Sequence, residues 1–186
     1  MFNVRYFIFL FASCSLFLGA CENDLSKVKQ IELKQKEEVE TTIGAQIIYS
    51  DSARVKAKLT TPLLINHKSL KDPYYEMPKG ITVIFYDDSL HQSSKVTADS
   101  AIRKVNQKIV ELHRNVVATN ARGQTFKSEE LIWDENLKKF YSNRVVTITT
   151  DKATISGTSF WANEDFSYYE IKQGAGPIKF NDDLSQ

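Results

Sequence analysis

The sequence predicts an all-β protein made of stacked antiparallel strands. Between Val96 and Thr149, short runs alternate between apolar and polar residues, and each run has the length of one strand. The pattern also repeats: ADSAIRK…KIVELHRNVVATN is echoed roughly 30 residues later by SEELIWD…KKFYSNRVVTITT, and more faintly by ISGTSFWANEDFSYYEI. Beyond Gly44 no long apolar stripe has helical spacing. Repeats of this size favour β-layers that each bury an apolar face against the next.

Turn residues separate the individual strands. Asp51-Ser52 and Asp87-Asp88-Ser89 are turn formers that follow two of the strands before residue 90. The predicted strands cover residues 46–50, 54–60, 81–86, 109–113, 116–119, 129–134, 139–142, 145–149, 152–156, 160–162 and 168–171.

The alternation within these strands defines an apolar interior. If Leu131 and Trp133 point inwards, Ile132 points outwards, because side chains alternate across a strand. The same phase gives an interior set made of Val110, Leu112, Leu131, Trp133, Phe140, Val146 and Ile148. Such layers can close as a packed core, or leave a V-shaped apolar trough with an unpaired edge strand at either end. A trough of this kind would shelter the acyl chain of a lipid from water.

The amino-terminal residues are predicted to form a lipoprotein signal. Arg5 provides a positive start, and residues 6–17 form an apolar segment too short to span a bilayer comfortably. Leu18-Gly19-Ala20 then precedes Cys21 and resembles a bacterial lipobox, so Cys21 is the predicted lipid anchor. Cys14 fits such a box less well, and an ordinary secretory signal with a chance cysteine is the alternative. Acyl chains on Cys21 would hold the protein at a membrane without a spanning helix.

Length and composition predict a single folded domain behind this signal. The expected organisation is a signal peptide over residues 1–20, a charged lipid-anchored tether over 21–44, a β domain over 45–173 and a flexible tail over 174–186. The composition, 42% hydrophobic and 25% charged, is that of an ordinary folded protein. Of the 24 basic residues only Arg5 lies in the leader, so 23 basic side chains remain against 23 acidic ones. These charges are interspersed, which excludes a broad basic surface for nucleic acid.

The sequence lacks the usual patterns of catalytic and metal sites. His67, His91 and His113 lie far apart, and none has a second ligand type at metal spacing. No nucleophile elbow or glycine-rich phosphate loop occurs, and both cysteines lie within the first 21 residues. Asp87-Asp88 is typical of a turn, and Glu129-Glu130 would point to opposite faces of a strand. The sequence therefore predicts no enzyme, no metal and no cofactor.

Several short motifs follow one another in a particular order between Ile47 and Ile171. They are Met77-Pro78-Lys79-Gly80-Ile81, Phe85-Tyr86-Asp87, Val96-Thr97-Ala98-Asp99-Ser100-Ala101, Asn115-Val116-Val117, Asn120-Ala121-Arg122-Gly123, Ser128-Glu129-Glu130-Leu131-Ile132-Trp133-Asp134, Lys139-Phe140-Tyr141-Ser142, Ile155-Ser156-Gly157 and Asp165-Phe166-Ser167. In this order and spacing they resemble the LptC family, the periplasmic component of the lipopolysaccharide export machine. The form resembled is the lipoprotein form of Bacteroidota-like bacteria.

The resemblance implies an open, twisted β-jelly roll that carries lipid and is no enzyme. Proteins of this family receive lipopolysaccharide from an ATP-driven ABC transporter of the inner membrane and pass it to a similar jelly roll of the periplasmic bridge. The interior set would hold the acyl chains while the sugars stay outside. Better-known members have an uncleaved transmembrane helix, which the lipid on Cys21 would replace. The resemblance therefore implies a periplasmic protein anchored by lipid to the inner membrane.

The resemblance also assigns the edge strands to partners. The amino-terminal edge would meet the transporter through Ile47 and Tyr49, and the carboxyl-terminal edge would meet the next jelly roll through Phe160, Ala162 and Ile171. The chain departs from the family at two corners, because Arg114 and Ser159 stand where glycine is common. A structural or adaptor lipoprotein of β-solenoid type, binding proteins through its edges and no lipid, is the alternative function.

Overall fold

The computed structural model describes the backbone of residues 39–68, 71–173 and 176–180, and side chains up to Lys172. These residues all belong to one compact unit, Glu37–Gln186. Within them, thirteen strands pair antiparallel in one continuous sheet, and no helix occurs. The strands are β1 (Val39–Asp51), β2 (Arg54–His67), β3 (Tyr74–Met77), β4 (Ile81–Tyr86), β5 (Gln92–Ala98), β6 (Ser100–Lys104), β7 (Ile109–Asn120), β8 (Thr125–Asp134), β9 (Lys139–Ser142), β10 (Val146–Thr149), β11 (Thr154–Asn163), β12 (Tyr169–Gln173) and β13 (Gly176–Phe180). The predicted all-β jelly roll is confirmed.

Four long strands change partner part-way and so divide the sheet into two layers. β2 pairs with β4 and then with β3, and β7 pairs with β6 and then with β5. Likewise, β8 and β11 each pair with β10 through their first half and with β9 through their second half. The first layer therefore contains β4, β5 and β10, and the second contains β3, β6, β9 and β12. Side chains from the two layers meet in a shared core.

The long strands bend where they pass from one layer to the other. β7 has a register shift between His113 and Val116, with Arg114 and Asn115 at φ of 62° and 47°. The Asp99 N–H donates to the Arg114 carbonyl oxygen at 3.1 Å and fills the gap between β5 and β6. β11 bends in the same way at Ser159, whose φ is 53°. The runs predicted as separate strands on either side of these corners are thus halves of single bulged strands.

Arg114 and Ser159 adopt a backbone conformation that is unfavourable for residues with a Cβ. A left-handed φ costs about 1–2 kcal/mol for most residues and nearly nothing for glycine, although glycine also gains freedom in the unfolded chain. We expect Ser159→Gly and Arg114→Gly each to raise the free energy of unfolding by up to about 1 kcal/mol in urea titrations. Ser159→Ala, which keeps the Cβ, should give no such gain. A loss of stability in both glycine variants would contradict this interpretation of the bends.

Several strands were not apparent in the sequence. β3, β5 and β6 were not predicted, and β2 continues through Pro62, beyond the predicted end at residue 60. Pro62 lies between the part of β2 that pairs with β4 and the part that pairs with β3. A missing N–H is tolerated where the strand changes layers, because no ladder bond to β4 or β3 is formed there.

The ends of the sheet extend beyond the predicted domain boundaries. β1 begins at Val39, within the stretch predicted as tether, and β13 lies within the predicted tail. Residues 39–44 are exposed and pair through their backbone with the second half of β2, so no apolar pattern marks them as a strand. The predicted signal peptide, Cys21 and most of the tether lie outside the described residues. Among the residues that are described, no helix is long and apolar enough to cross a membrane.

Candidate functional site between the two layers

The interior set lines the space between the layers. All seven of its side chains are buried, and none exposes more than 3% of its surface. Val110 lies opposite Trp133, and Leu112 lies opposite Leu131, across the β7–β8 ladder. Ile132 is only partly buried and belongs to the opposite face, as the alternation predicts. The interior set is thus an apolar wall on the inner face of the sheet.

Aromatic rings bridge the two layers. The Phe85 ring of the first layer lies 5.0 Å from the Trp133 ring and 5.6 Å from the Phe140 ring of the second. Phe126 of the first layer lies 5.0 Å from Tyr169 of the second, with the rings at 80°. The prediction from sequence omitted Phe85, Phe126 and Tyr169 from the interior. Alternation with polar neighbours, Thr125 and Lys127, was a usable signal for Phe126.

A polar loop closes the side of the layers opposite the strand bends. This loop, residues 164–168, joins β11 to β12 and is here called the β11–β12 loop. The Ser94 hydroxyl donates to the Glu164 carbonyl oxygen at 2.6 Å, and the Asn120 amide donates to the Phe166 carbonyl oxygen at 3.1 Å. Ser94 and Asn120 lie at the ends of β5 and β7 in the first layer, whereas the loop belongs to the second. Side-chain hydrogen bonds therefore connect the layers at this side.

Charged groups lie on the same side of the layers as the β11–β12 loop, towards the end of the sheet that β1 forms. Arg103 on the inner face of β6 donates from Nε and Nη2 to the two Glu135 carboxylate oxygens at 2.6 and 2.9 Å. This hydrogen bonding raises the pKa of Arg103. The pair lines a cavity of about 100 Å³ that is otherwise bounded mainly by apolar residues of β1, β2, β4 and β8. Lys138 also pairs with Asp51, the last residue of β1, and lowers the pKa of that carboxyl.

Glu164 makes stability depend on pH. Its carboxylate accepts a hydrogen bond from Trp133 Nε1 at 2.9 Å. Burial raises the pKa of Glu164, and the Asp165 charge adds to this, while the Trp133 bond and the charges of Lys138 and Lys56 oppose it. A carboxyl whose pKa is raised in the folded state binds more protons in the folded protein than in the unfolded chain. The free energy of unfolding therefore falls as the pH rises from the unfolded-state pKa through the folded-state pKa.

Replacing Glu164 with glutamine should remove this pH dependence. Glu164→Gln keeps an oxygen that can accept from Trp133 and eliminates the titrating proton. We expect the variant to be more stable than the wild type at about pH 7, and the difference to shrink towards about pH 4, where the wild-type carboxyl is protonated. Urea titrations at the two pH values measure this. A variant less stable than the wild type at neutral pH would show that the carboxylate charge is favourable there.

The predicted edge residues differ in where the structure places them. Ile47 and Tyr49 lie on β1, which pairs only with β2 in the described part of the chain. Both point towards the core. Phe160, Ala162 and Ile171, in contrast, are buried on β11 and β12, and each of these strands is paired on both sides. Among the described strands, the carboxyl-terminal edge is therefore β13, one strand further on.

Side chains considered for catalysis or metal binding have structural contacts. Asp87 accepts the N–H groups of Ser89 and His91 and so shapes the turn after β4. His67 stacks on Tyr74 and lies 3.2 Å from a Glu76 oxygen. In residues 39–68 and 71–172, no group of three or more His, Cys, Asp or Glu side chains could hold a metal ion.

Comparison with known proteins identifies the family. A family model described as "Lipopolysaccharide-assembly, LptC-related" matches residues 6–175, most of the chain. The chain belongs to the LptC family. A search of curated proteins found no match. Membership in the LptC family assigns the chain a role in lipopolysaccharide transport, as a periplasmic component associated with the inner membrane. The LptC family is a family of transport proteins, not of enzymes.

Proposed function

We propose that this protein accepts lipopolysaccharide from an inner-membrane ABC transporter and passes it to the next jelly roll of the bridge to the outer membrane. The observation that carries the proposal is the uncharged apolar wall of the interior set. Among the described residues, the sheet that bears it ends in an unpaired strand edge at β1 and another at β13. Acyl chains would lie along this wall, and the sugars would remain in water outside the layers.

Binding of an acyl chain between the layers requires the layers to separate, because the side chains of the interior set are already packed against each other. An acyl chain would replace contacts between side chains with contacts of its own, gaining about 0.8 kcal/mol for each methylene group taken from water. The hydrogen bonds of the β11–β12 loop and the Lys138–Asp51 pair would have to open on that side. The ATPase of the transporter would supply the energy, and this chain would perform no chemistry.

The two free edges would connect this jelly roll to its neighbours. An edge strand presents unpaired N–H and C=O groups that a strand of a homologous domain can satisfy. The exposed Ile43 and Ile48 on β1 would add apolar contacts at the transporter end. At the other end, β13 would pair with the next jelly roll, in place of the Phe160–Ile171 segment expected from sequence.

The alternative function is that of an adaptor which binds proteins through its edges and carries no lipid. The closely packed interior is what that hypothesis expects. Membership in the LptC family favours transport. Depletion of the protein in its own bacterium tests the proposal. We expect newly made lipopolysaccharide to accumulate at the inner membrane within the time of depletion. Normal delivery to the outer membrane after complete depletion would contradict transport and favour the adaptor.

Cys21 is the proposed lipid anchor, since its thiol is the acceptor in the lipobox-like segment. Cys21→Ser removes that thiol, and we expect it to abolish incorporation of a clickable fatty acid and to release the protein from the membrane fraction. Cys14→Ser is the matched control and should leave labelling unchanged. Label that persists on Cys21→Ser would place the anchor at Cys14.

A further inference from the structure

One loop side chain completes the apolar interior. Phe166, in the β11–β12 loop, is fully buried, and its ring centre lies 4.9 Å from those of Phe126 and Phe140 and 6.5 Å from that of Phe160. The other three rings belong to strands of the two layers. Phe166 therefore fills space between the layers from a position that is not fixed by a strand ladder.

The hydrogen bonds that join the loop to the first layer run from side chains of that layer to backbone carbonyl oxygens of the loop. Ser94 donates to the Glu164 carbonyl, Asn120 to the Phe166 carbonyl and Arg122 to the Ser167 carbonyl, at 2.6, 3.1 and 3.2 Å. In the part of the chain that the structure describes, no strand pairing joins the loop to β5 or β7. The loop can move outwards when these three bonds and the bond from Trp133 Nε1 to the Glu164 carboxylate exchange with water, and both layers keep their ladders.

The backbone of the loop is held in an unfavourable conformation. Phe166 has a φ of 55°, in the left-handed region that residues with a Cβ rarely adopt. Its N–H donates to the Asn163 carbonyl, and the Asn163 N–H donates to the Tyr168 carbonyl, both at 3.1 Å, so the loop is a tight turn. Packing of the ring and the three bonds to the first layer balance this strain. Backbone strain of this kind is common in segments that act as switches.

We propose that the β11–β12 loop is a gate and Phe166 its plug: the loop swings outwards to admit an acyl chain among Phe126, Phe140 and Phe160, and Phe166 refills that space when the chain leaves. This inference rests on the proposed function, because the acyl chain of lipopolysaccharide is the ligand. It places the gate in the half of the interior that is nearer to β13, the end from which the lipid would be passed on.

Two buried serines provide a matched test. Ser94→Ala removes the hydroxyl that holds the Glu164 carbonyl. Ser142→Ala removes an equally buried hydroxyl that accepts from the Arg144 N–H at 3.0 Å, away from the loop. Phe166→Ala removes the plug itself. The rate of lipopolysaccharide uptake by the purified full chain can be followed by displacement of a bound fluorescent fatty acid, and exchange of the loop amides by mass spectrometry.

We expect Ser94→Ala to speed both uptake and amide exchange by roughly two- to tenfold, the range set by the loss of one hydrogen bond. Phe166→Ala should speed uptake at least as much, and Ser142→Ala should match the wild type. If the wild type takes up lipopolysaccharide and Ser94→Ala and Phe166→Ala do so no faster than Ser142→Ala, the gate is refuted and the proposed function stands. If no variant takes up lipopolysaccharide, wild type included, the gate is refuted, whereas the proposed function, whose energy comes from the ATPase of the transporter, is tested by the depletion experiment.

Discussion

Leu131→Asp is expected to lower the free energy of unfolding by roughly 3–5 kcal/mol, the cost of leaving a charge buried without a partner. Leu131 is fully buried and lies opposite Leu112 in the centre of the apolar wall. A carboxylate there would have no cation within the interior set, and the core residues around it offer few polar partners. A loss of this size is a large part of the stability of an ordinary domain.

The same substitution one residue later is the control. Ile132 is partly exposed on the outer face, between Glu111 and Tyr141 of the neighbouring strands. Ile132→Asp should cost about 1 kcal/mol, mainly through lost β propensity and repulsion from Glu111. Urea titrations of both variants compare the two costs. A greater loss for Ile132→Asp would mean that the strand phase is wrong by one residue.

Gly157→Val is expected to detach β12 from β11. A Cβ at position 157 would stand 2.3 Å from the Lys172 carbonyl oxygen and 2.9 Å from Ile171 Cγ1, far closer than atoms can pack. The glycine is required for this close approach of two strands, whereas the positive φ at this corner belongs to Ser159. Overpacking of this kind costs at least about 1–3 kcal/mol, and here the obstacle is backbone.

The expected consequence is a folded protein with a damaged carboxyl-terminal edge. β13 pairs with β12, so displacing β12 moves the strand that we propose to dock the next jelly roll. A pull-down of the bridge partner, run beside circular dichroism, should show weaker capture by folded Gly157→Val. Gly123→Ala is the control, because it strains a turn at φ 78° without meeting any atom. Undiminished capture by folded Gly157→Val would argue against this edge as the docking site.

The sequence predicted which side chains of each strand face inwards, because apolar and polar residues alternate along a strand that has one buried face. Leu112 is an inward-facing apolar residue between two polar neighbours, and the register that buries it also buries Leu131 and Val146. The outer strands were different. Residues 39–44 of β1 pair through backbone and expose their side chains, which leaves no apolar pattern to detect. Phe166 is buried in a turn by contacts with distant strands, and local sequence contains no signal for that.

The bends illustrate a second limit of sequence reasoning. Arg114 and Ser159 adopt a conformation typical of glycine, which neither residue favours by itself. The surrounding ladders impose it, because each long strand must turn to reach the second layer. In the sequence, Asn115 indicates the corner that follows His113, because asparagine tolerates a positive φ. The sequence did not show that the same strand continues beyond this corner.

We propose that the acyl chains of lipopolysaccharide pass between the two layers. Site-specific photocrosslinking in cells can detect this passage, with an aromatic photoreactive residue in place of Trp133 on the inner face or of Tyr141 on the outer face. The two positions lie on neighbouring strands, one residue apart in register. We expect adducts with lipopolysaccharide at 133, dependent on ATP, and few at 141. Adducts at 141 alone, or none at 133 in folded protein, would contradict carriage of lipid between the layers.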